Sequence, residues 1–275
     1  MGKSPAMETP AASASASRGS SAPPSGVPGN YKIYFENFTK KFGELLVLNE
    51  ITFGIEDGEF LVIVGPTGCG KTTLVKLLIG ILEPTRGVIY INGRNISRHS
   101  MQENISVVFQ EDSLLPWRSV KKNIKLPLEL GKQTKEEAEA RTGEMIKLLG
   151  LEEYVDYMPA QLSRGMRQRV AIARAYTTKP SIIIMDEPFG HFDATSREQI
   201  EKMIIDVWRR TGATILFVTH NIEEAVFLAS RIIVLSPKPT GIKEVIPIGL
   251  PHPRSYMEPE FIQIRKKVTD LIKWW

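Results

Sequence analysis

Gly65-Pro66-Thr67-Gly68-Cys69-Gly70-Lys71-Thr72 lies between the apolar run Phe60 to Val64 and a stretch of helical spacing from Lys71 to Ile79. The octapeptide is a complete match to a glycine-rich phosphate-binding loop, in the strand-turn-helix setting that the pattern requires. Its glycines let the backbone curl so that successive N–H groups face a phosphate chain, and the helix start adds a partial positive charge. Lys71 is long enough to reach β and γ phosphates, and the Thr72 hydroxyl can coordinate Mg²⁺. A glycine-rich turn with no ligand is the bland alternative, disfavoured by the strand before it and the helix after it.

Two further stretches supply what this loop lacks. Ser181 to Met185 reads as a buried strand ending in Asp186-Glu187-Pro188. In isolation this would be an acidic turn. Beside a phosphate loop, Asp186 becomes the expected partner of Mg²⁺, directly or through water, and Glu187 is placed to polarise an attacking water. Leu162-Ser163-Arg164-Gly165-Met166-Arg167-Gln168-Arg169, the other stretch, opens a helix.

Outward from these motifs, β-type stretches alternate with helical ones from Tyr31 onward, which predicts an α/β domain with a partly parallel sheet. Strands are expected at Ile33 to Phe38, Ile51 to Ile55, Phe60 to Val64, Val88 to Ile91, Ile105 to Phe109, Ile182 to Met185, Thr214 to Val218 and Ile232 to Leu235. Between Phe109 and Ser181 helical patterning replaces the strand signal, with Lys135 to Leu149 and Ser163 to Tyr176 clearest; a helical subdomain at about 112–180 is expected there. A helix with a capping-box signature starts at Thr195, with Ile200, Met203, Ile204, Val207 and Trp208 on one stripe. The last amphipathic stretch, about 258–273, spaces Phe261, Ile264, Val268 and Leu271 helically and extends toward Trp275.

Residues 1–30 are rich in Ala, Ser, Pro and Gly without a periodic apolar face, so a disordered low-complexity tail is expected, with 31–275 forming the folded unit. With 42% apolar residues, a chain of 275 can bury one sizeable core. Its net charge of +4 comes from basic and acidic residues that interleave, which gives a nucleic-acid partner little support. Cys69 is the single cysteine and cannot form an internal disulfide, which fits a reducing compartment. No run approaches the roughly 18 to 20 apolar residues that cross a bilayer, so any membrane role requires a partner.

The order of the phosphate loop, Gln110, Leu-Ser-x-Gly at 162–165, Ile-Ile-Ile-Met-Asp-Glu-Pro at 182–188 and Thr219-His220 resembles the ATP-binding cassette (ABC) ATPase family over nearly all of 31–275. The resemblance implies a P-loop NTPase fold of the ABC ATPase type: a mixed sheet core, an antiparallel β-subdomain and an inserted helical subdomain. It implies ATP and Mg²⁺, with nucleotide contacts running from Gly65 through Thr73. Phe42 falls where the family places an aromatic that stacks on adenine, although a core aromatic leaves the same trace. Gln110 would sense Mg²⁺ and the attacking water, joining Thr72 and Asp186 at the metal. By the same likeness Ser163 and Gly165 contact the γ phosphate bound to the opposite subunit, and Asp193 lines the dimer interface or caps the next helix. His220 resembles the switch histidine, so Glu187, His220, Lys71 and Gln110 form the implied catalytic set.

Partners follow from the same resemblance: a second ATP-binding subunit, most simply an identical chain, a multispanning membrane permease at the cytoplasmic face of the membrane, and indirectly a substrate-binding protein. Val107 to Trp117, with Leu235 to Pro239 and Leu250 to Arg254, is similar to importer subunits serving nitrate, sulfonates, taurine and bicarbonate. Two positions depart from the family pattern. Arg164 stands where Gly is usual and brings charge close to the partner's phosphates, and Met166 stands where many members have Gln. An ABC protein that clamps DNA or ribosomes is the alternative, but it usually needs two cassettes or a long coiled-coil insertion. A P-loop kinase would leave Leu162 to Gly165 without a role.

Overall fold

The computed structural model describes residues 31–96, 104–111, 113–190, 192 and 194–272. Asp193, Trp275 and the stretch 1–30 lie outside them.

Chain order is β1 (Tyr31–Phe42), β2 (Leu45–Glu56), β3 (Phe60–Val64), α1 (Lys71–Leu78), β4 (Arg86–Ile91), β5 (Arg94–Asn95), β6 (Ile105–Val108), α2 (Val120–Glu129), α3 (Lys135–Leu148), α4 (Arg164–Tyr176), β7 (Ile182–Asp186), α5 (Ala194–Thr211), β8 (Thr214–Thr219), α6 (Ile222–Leu228), β9 (Arg231–Leu235), β10 (Ile242–Pro247) and α7 (Pro259–Ile272). Two sheets result. One has four strands in the order β2-β1-β4-β5, and the other six in the order β10-β9-β3-β8-β7-β6. The smaller sheet is antiparallel throughout. In the larger one β9, β3, β8, β7 and β6 run parallel, and β10 pairs antiparallel at the edge.

Every residue of β3, β7 and β8 is buried, as expected for parallel strands covered on both faces. The two-residue period divides each strand between two cores. Phe60, Val62 and Val64, with Ile183, Met185, Ile215 and Phe217, pack toward α2 to α7. Leu61, Ile63, Ile182, Ile184, Leu216 and Val218 pack toward α1 and the antiparallel sheet. The central sheet is the wall between the two cores.

Several boundaries differ from the sequence expectation for local reasons. β1 and β2 are longer than their apolar segments because backbone pairing continues to the hairpin at Phe42↔Leu45, where side chains turn to solvent. Helix α5 starts at Ala194, so Thr195 lies inside its first turn and not at its cap. The true capping box is on α3: Thr134 Oγ1 accepts from Glu137 N, and Glu137 Oε2 accepts from Thr134 N. Helices α2 and α6 and strand β10 carry signals too short or, in α2, too broken by Pro127 to be singled out from the sequence.

The segment between β10 and α7 is fastened through buried polar groups. Arg254, 5% exposed, donates to the carbonyls of Val226, Phe227 and Ala229, satisfying the C-terminal end of α6. Tyr256 donates its hydroxyl to Glu201 on α5, which is fully buried. Burial pushes the Glu201 carboxyl up to about 8; the Tyr256 hydrogen bond and Arg197 oppose this, while Glu224 and Glu198 add to it. Because its folded value exceeds the unfolded 4.5, Glu201 contributes stability that is complete below pH 4.5 and is lost as pH rises through about 8. In Glu201→Gln, which stays neutral, the Tm difference from wild type should swing in the variant's favour between pH 4.5 and about 8, then level off. A difference that does not change across that range in thermal denaturation would refute the buried, neutral carboxyl.

Candidate functional site: a nucleotide site at the strand ends

Parallel register decides where the chemistry sits. Val64 pairs with Thr219, Asp186 with Val218, and Val108 with Met185, so the C-terminal ends of β3, β8, β7 and β6 share one edge. Ligands of open α/β sheets bind outside this edge. The loop 65–70 leaves β3 there, Asp186 and Glu187 leave β7, His220 leaves β8, and Gln110 follows β6.

Within the phosphate loop, Gly68 and Gly70 take φ of 78° and 113°, a region that side chains disfavour. A Cβ on Gly70 would also come within 2.9 Å of Val47, so this turn requires glycine twice over. The Cys69 amide donates to the Pro66 carbonyl at 3.2 Å, closing the curl. Cys69 is buried, with burial raising its thiol pKa, and its carbonyl accepts from the fully buried Thr240 hydroxyl. Thr67 and Gly68 are exposed at the tip, and Thr73 is half-buried on the first turn of α1.

Lys71 bends back over this loop. Its Nζ donates to the carbonyls of Gly65 at 3.0 Å and Pro66 at 3.1 Å, and lies 3.6 Å from Glu187 Oε1. The side chain is only 4% exposed, so its charge is poised inside the loop rather than dispersed in water. Thr72 Oγ1 donates to Asp186 Oδ1 at 3.3 Å. Burial pushes the Asp186 carboxyl up, the Thr72 bond holding it down in part and Glu187 adding to the rise. A cation beside this hydroxyl and carboxylate would remove that cost. Oxygen donors of this kind suit Mg²⁺, which usually takes one or two protein groups and completes its shell with phosphate and water. No cluster of three or more His, Cys, Asp or Glu that could hold a metal occurs among the described residues.

Glu187 stands at φ 47°, a left-handed backbone uncommon outside glycine, which turns its side chain away from the strand direction. Its Oε2 is 3.0 Å from His220 Nδ1. A carboxylate can only accept, so the bond's proton is on the ring nitrogen. Lysine and histidine therefore hold the two oxygens of one carboxylate from opposite loops. Next to it, a Cβ on Gly190 would lie 3.2 Å from Gln110 Nε2, so the glycine leaves room for that amide against the loop after Glu187.

Other expected residues sit elsewhere. Phe42 is 45% exposed at the tip of the β1-β2 hairpin, with Lys40 Nζ 4.9 Å from its ring centroid, so it is not a core aromatic. Ser163 is the N-cap of α4, its Oγ accepting from Met166 N at 3.3 Å; Ser163 and Arg164 are exposed, and Gly165 packs against the Phe192 ring. Asp193 lies outside the described residues. Sequence reasoning missed Asn123, fully buried on α2. Its amide oxygen accepts from Leu115 N and its nitrogen donates to the carbonyls of Leu115, Arg118 and Ser119, shaping the loop that carries Trp117. Missed as well were Thr240 and Glu224, polar residues whose burial no local sequence pattern marks.

A sheet edge with a lysine-bearing phosphate loop, a hydroxyl-carboxylate pair and an acid backed by histidine defines a nucleoside-triphosphate hydrolase. Residues 48–190 match the family described as "ABC transporter". Among relatives, the chain is 42% identical over 222 residues to the aliphatic sulfonates import ATP-binding protein SsuB of Bacillus licheniformis, covering 81% of this chain and 85% of that one. It is 39% identical over 246 residues to an uncharacterized ABC transporter ATP-binding protein of Methanocaldococcus jannaschii, covering 88% and 91%. A dimeric structure of the ATP-binding cassette MJ0796 in a post-hydrolysis state, bound to ADP and Pi, superposes with a TM-score of 0.69 at 32% identity, covering 78% of this chain and 98% of that one. CbiO1 from Clostridium perfringens, part of an ABC transporter complex, gives 0.72 at 26% identity, covering 80% and 89%. The chain belongs to the ABC transporter family, as its ATP-binding, ATP-hydrolysing component, and works with Mg²⁺.

Lys71→Ala removes the buried ammonium while leaving the loop's glycines in place. It should weaken Mg-ATP binding roughly 10- to 100-fold, the range for a lost hydrogen bond to a charged group. Titration with a fluorescent ATP analogue measures this, and undiminished affinity would exclude Lys71 from the phosphate site.

Proposed function

We propose that this chain powers an importer of a small anion, by hydrolysing ATP between two cassettes beneath a membrane permease. The likeness to SsuB, an aliphatic sulfonate import protein, over most of both chains carries the importer reading. Residues 31–275 would form one ABC ATPase domain with α2 to α4 as its helical subdomain. Among the described residues no helix is long and apolar enough to cross a membrane, so the route for the anion would belong to the permease.

Under this reading Phe42 stacks on adenine, which its exposure at a hairpin tip permits. Backbone N–H groups of Gly65 and 67–73, together with Lys71, would take the phosphates, and Thr72, Asp186 and Gln110 would hold Mg²⁺, whose charge would screen the phosphate oxygens. Glu187 accepts a proton from the attacking water, and His220, bonded to the same carboxylate, keeps it aimed. Most of the rate comes from positioning and charge neutralisation, since negative charge moves onto oxygens that are already held. Ser163, Gly165 and Asp193 would meet the nucleotide of the other protomer; the exposure of Ser163 and Arg164 at the start of α4 supports such a contact.

Trp117 is 72% exposed, and Tyr157 and Met158 are 43% and 41% exposed. They lie on adjoining segments, since Val120 N donates to Tyr157 O and Lys121 N to Val155 O. Apolar side chains left in water at the start of α2 suit a short helix from the permease.

Two experiments test this. Glu187→Gln should retain Mg-ATP, lose turnover by roughly 100-fold or more, and accumulate as a dimer in size-exclusion chromatography with ATP; wild-type turnover in that variant would refute the assigned role. Affinity capture of the tagged chain from its native membranes should bring down a multispanning protein, and Trp117→Ser should reduce that yield. Recovery of ribosomes or DNA instead would overturn the importer reading.

A further inference from the structure

A second polar layer lies behind the strand-end site and joins loops that the proposed chemistry treats separately. Thr219 Oγ1 donates to Glu224 Oε2 at 2.6 Å and accepts from Asn221 N at 3.0 Å. The Asn221 side chain in turn caps α6, accepting from Glu223 N and Glu224 N. Thr219 to Asn221, the tripeptide that carries His220, is thereby pinned to the first turn of α6. Glu224 is 3% exposed, and its other oxygen lies 3.4 Å from Arg197 Nε on the first turn of α5. Arg197 Nη2 donates to the Phe192 carbonyl at 3.1 Å. The ring of Phe192 is the group that a Cβ on Gly165 would approach to 3.0 Å, which brings the start of α4 into the same chain of contacts.

We propose that Arg197 and Glu224 are positioning residues for ATP hydrolysis: their ion pair locks the His220 loop to the segment that follows Glu187. Neither residue reaches the strand-end site itself in this arrangement. A carboxylate this buried is costly to keep charged unless it is paired, and Arg197 Nε faces it at 3.4 Å as a charge contact without a hydrogen bond, so the pair adds an electrostatic restraint between the two loops to what apolar packing supplies. Each end of the bridge bonds next to a proposed catalytic or interface group: Glu224 to the hydroxyl of Thr219, beside His220, and Arg197 to the carbonyl of Phe192, beyond Glu187 and against Gly165. The pair therefore makes movement of one loop costly without the other. The inference rests on the roles proposed for Glu187 and His220.

Steady-state ATPase assays on the purified full chain test it, with Arg197→Ala, Glu224→Gln, the double variant and Arg197→Lys. Glutamine at 224 can still accept from Thr219, so that variant removes charge while keeping the cap. Each single variant should lower kcat roughly tenfold while the Mg-ATP dissociation constant stays within about twofold and Tm shifts by only a few degrees. The double variant should lose no more than the worse single one, and Arg197→Lys should recover part of the rate. Wild-type kcat in both single variants, losses that multiply in the double variant, or affinity and Tm falling in step with kcat would overturn the proposal. A His220→Ala control separates the two layers. Wild-type turnover in that control sinks the role of His220 and the pair with it, whereas a large loss there beside an unimpaired Arg197→Ala sinks the pair alone.

Discussion

The common level at which β3, β8, β7 and β6 end is the constraint from which the rest of the structure follows. Parallel pairing sets it: Val64 opposite Thr219, Val218 opposite Asp186, and Met185 opposite Val108. A one-residue slip in any of these pairs would exchange the faces of a whole strand, and because all three central strands are buried on both sides, each face has a core to satisfy. Packing energy thus fixes the register, and register places Lys71, Asp186, Glu187 and His220 within reach of one another. The chemistry itself adds little to stability.

The charges are arranged so that each is held but incompletely satisfied by protein. Lys71 is bonded to two carbonyls and faces Glu187, and Asp186 has a threonine hydroxyl but a carboxyl pushed up by burial. A buried cation and a buried carboxyl of this kind are costly without partners, and under the proposed function both would gain when phosphate and metal bind. The strained φ of Glu187 belongs to the same arrangement, since the turn that aims its carboxylate at His220 is one that the following loop must hold in place.

What could be read from the sequence was whatever depends on contiguous residues. The phosphate loop, the apolar runs that became β3, β7 and β8, and the acidic pair after β7 announce themselves because their physics is local: glycines for curl, uninterrupted apolar residues for a doubly covered strand. The structure adds to the reading of Phe42, whose exposure excludes the core role that spacing alone leaves open. What stayed hidden depends on side chains meeting in the fold, across the chain for Thr240 and Arg254 and across a short loop or turn for Asn123 and Glu224. Asn123, Thr240, Glu224 and Arg254 are polar residues in apolar or mixed stretches, and their partners lie in loops or on other helices. The cap of α5 was misplaced for a related reason: Thr195 and Glu198 have the right spacing for a capping box, but the helix already includes Ala194.

These hidden residues each fasten one segment to another. Thr240 ties the segment after β9 to the phosphate loop through the Cys69 carbonyl, Glu224 ties α6 to the loop after β8, and Arg254 ties the C-terminal segment to the end of α6. Thr240 bonds to the backbone of the phosphate loop and Glu224 to the Thr219 hydroxyl just behind the strand ends, whereas Arg254 braces the far end of α6, next to the start of β9. Such contacts leave the chemistry-bearing groups free to meet a ligand while removing the slack from the loops that carry them. Under the proposed mechanism, in which phosphate, metal and water are held in register, that second layer would matter alongside the first, because a displacement of a loop by one ångström costs more than the loss of one contact.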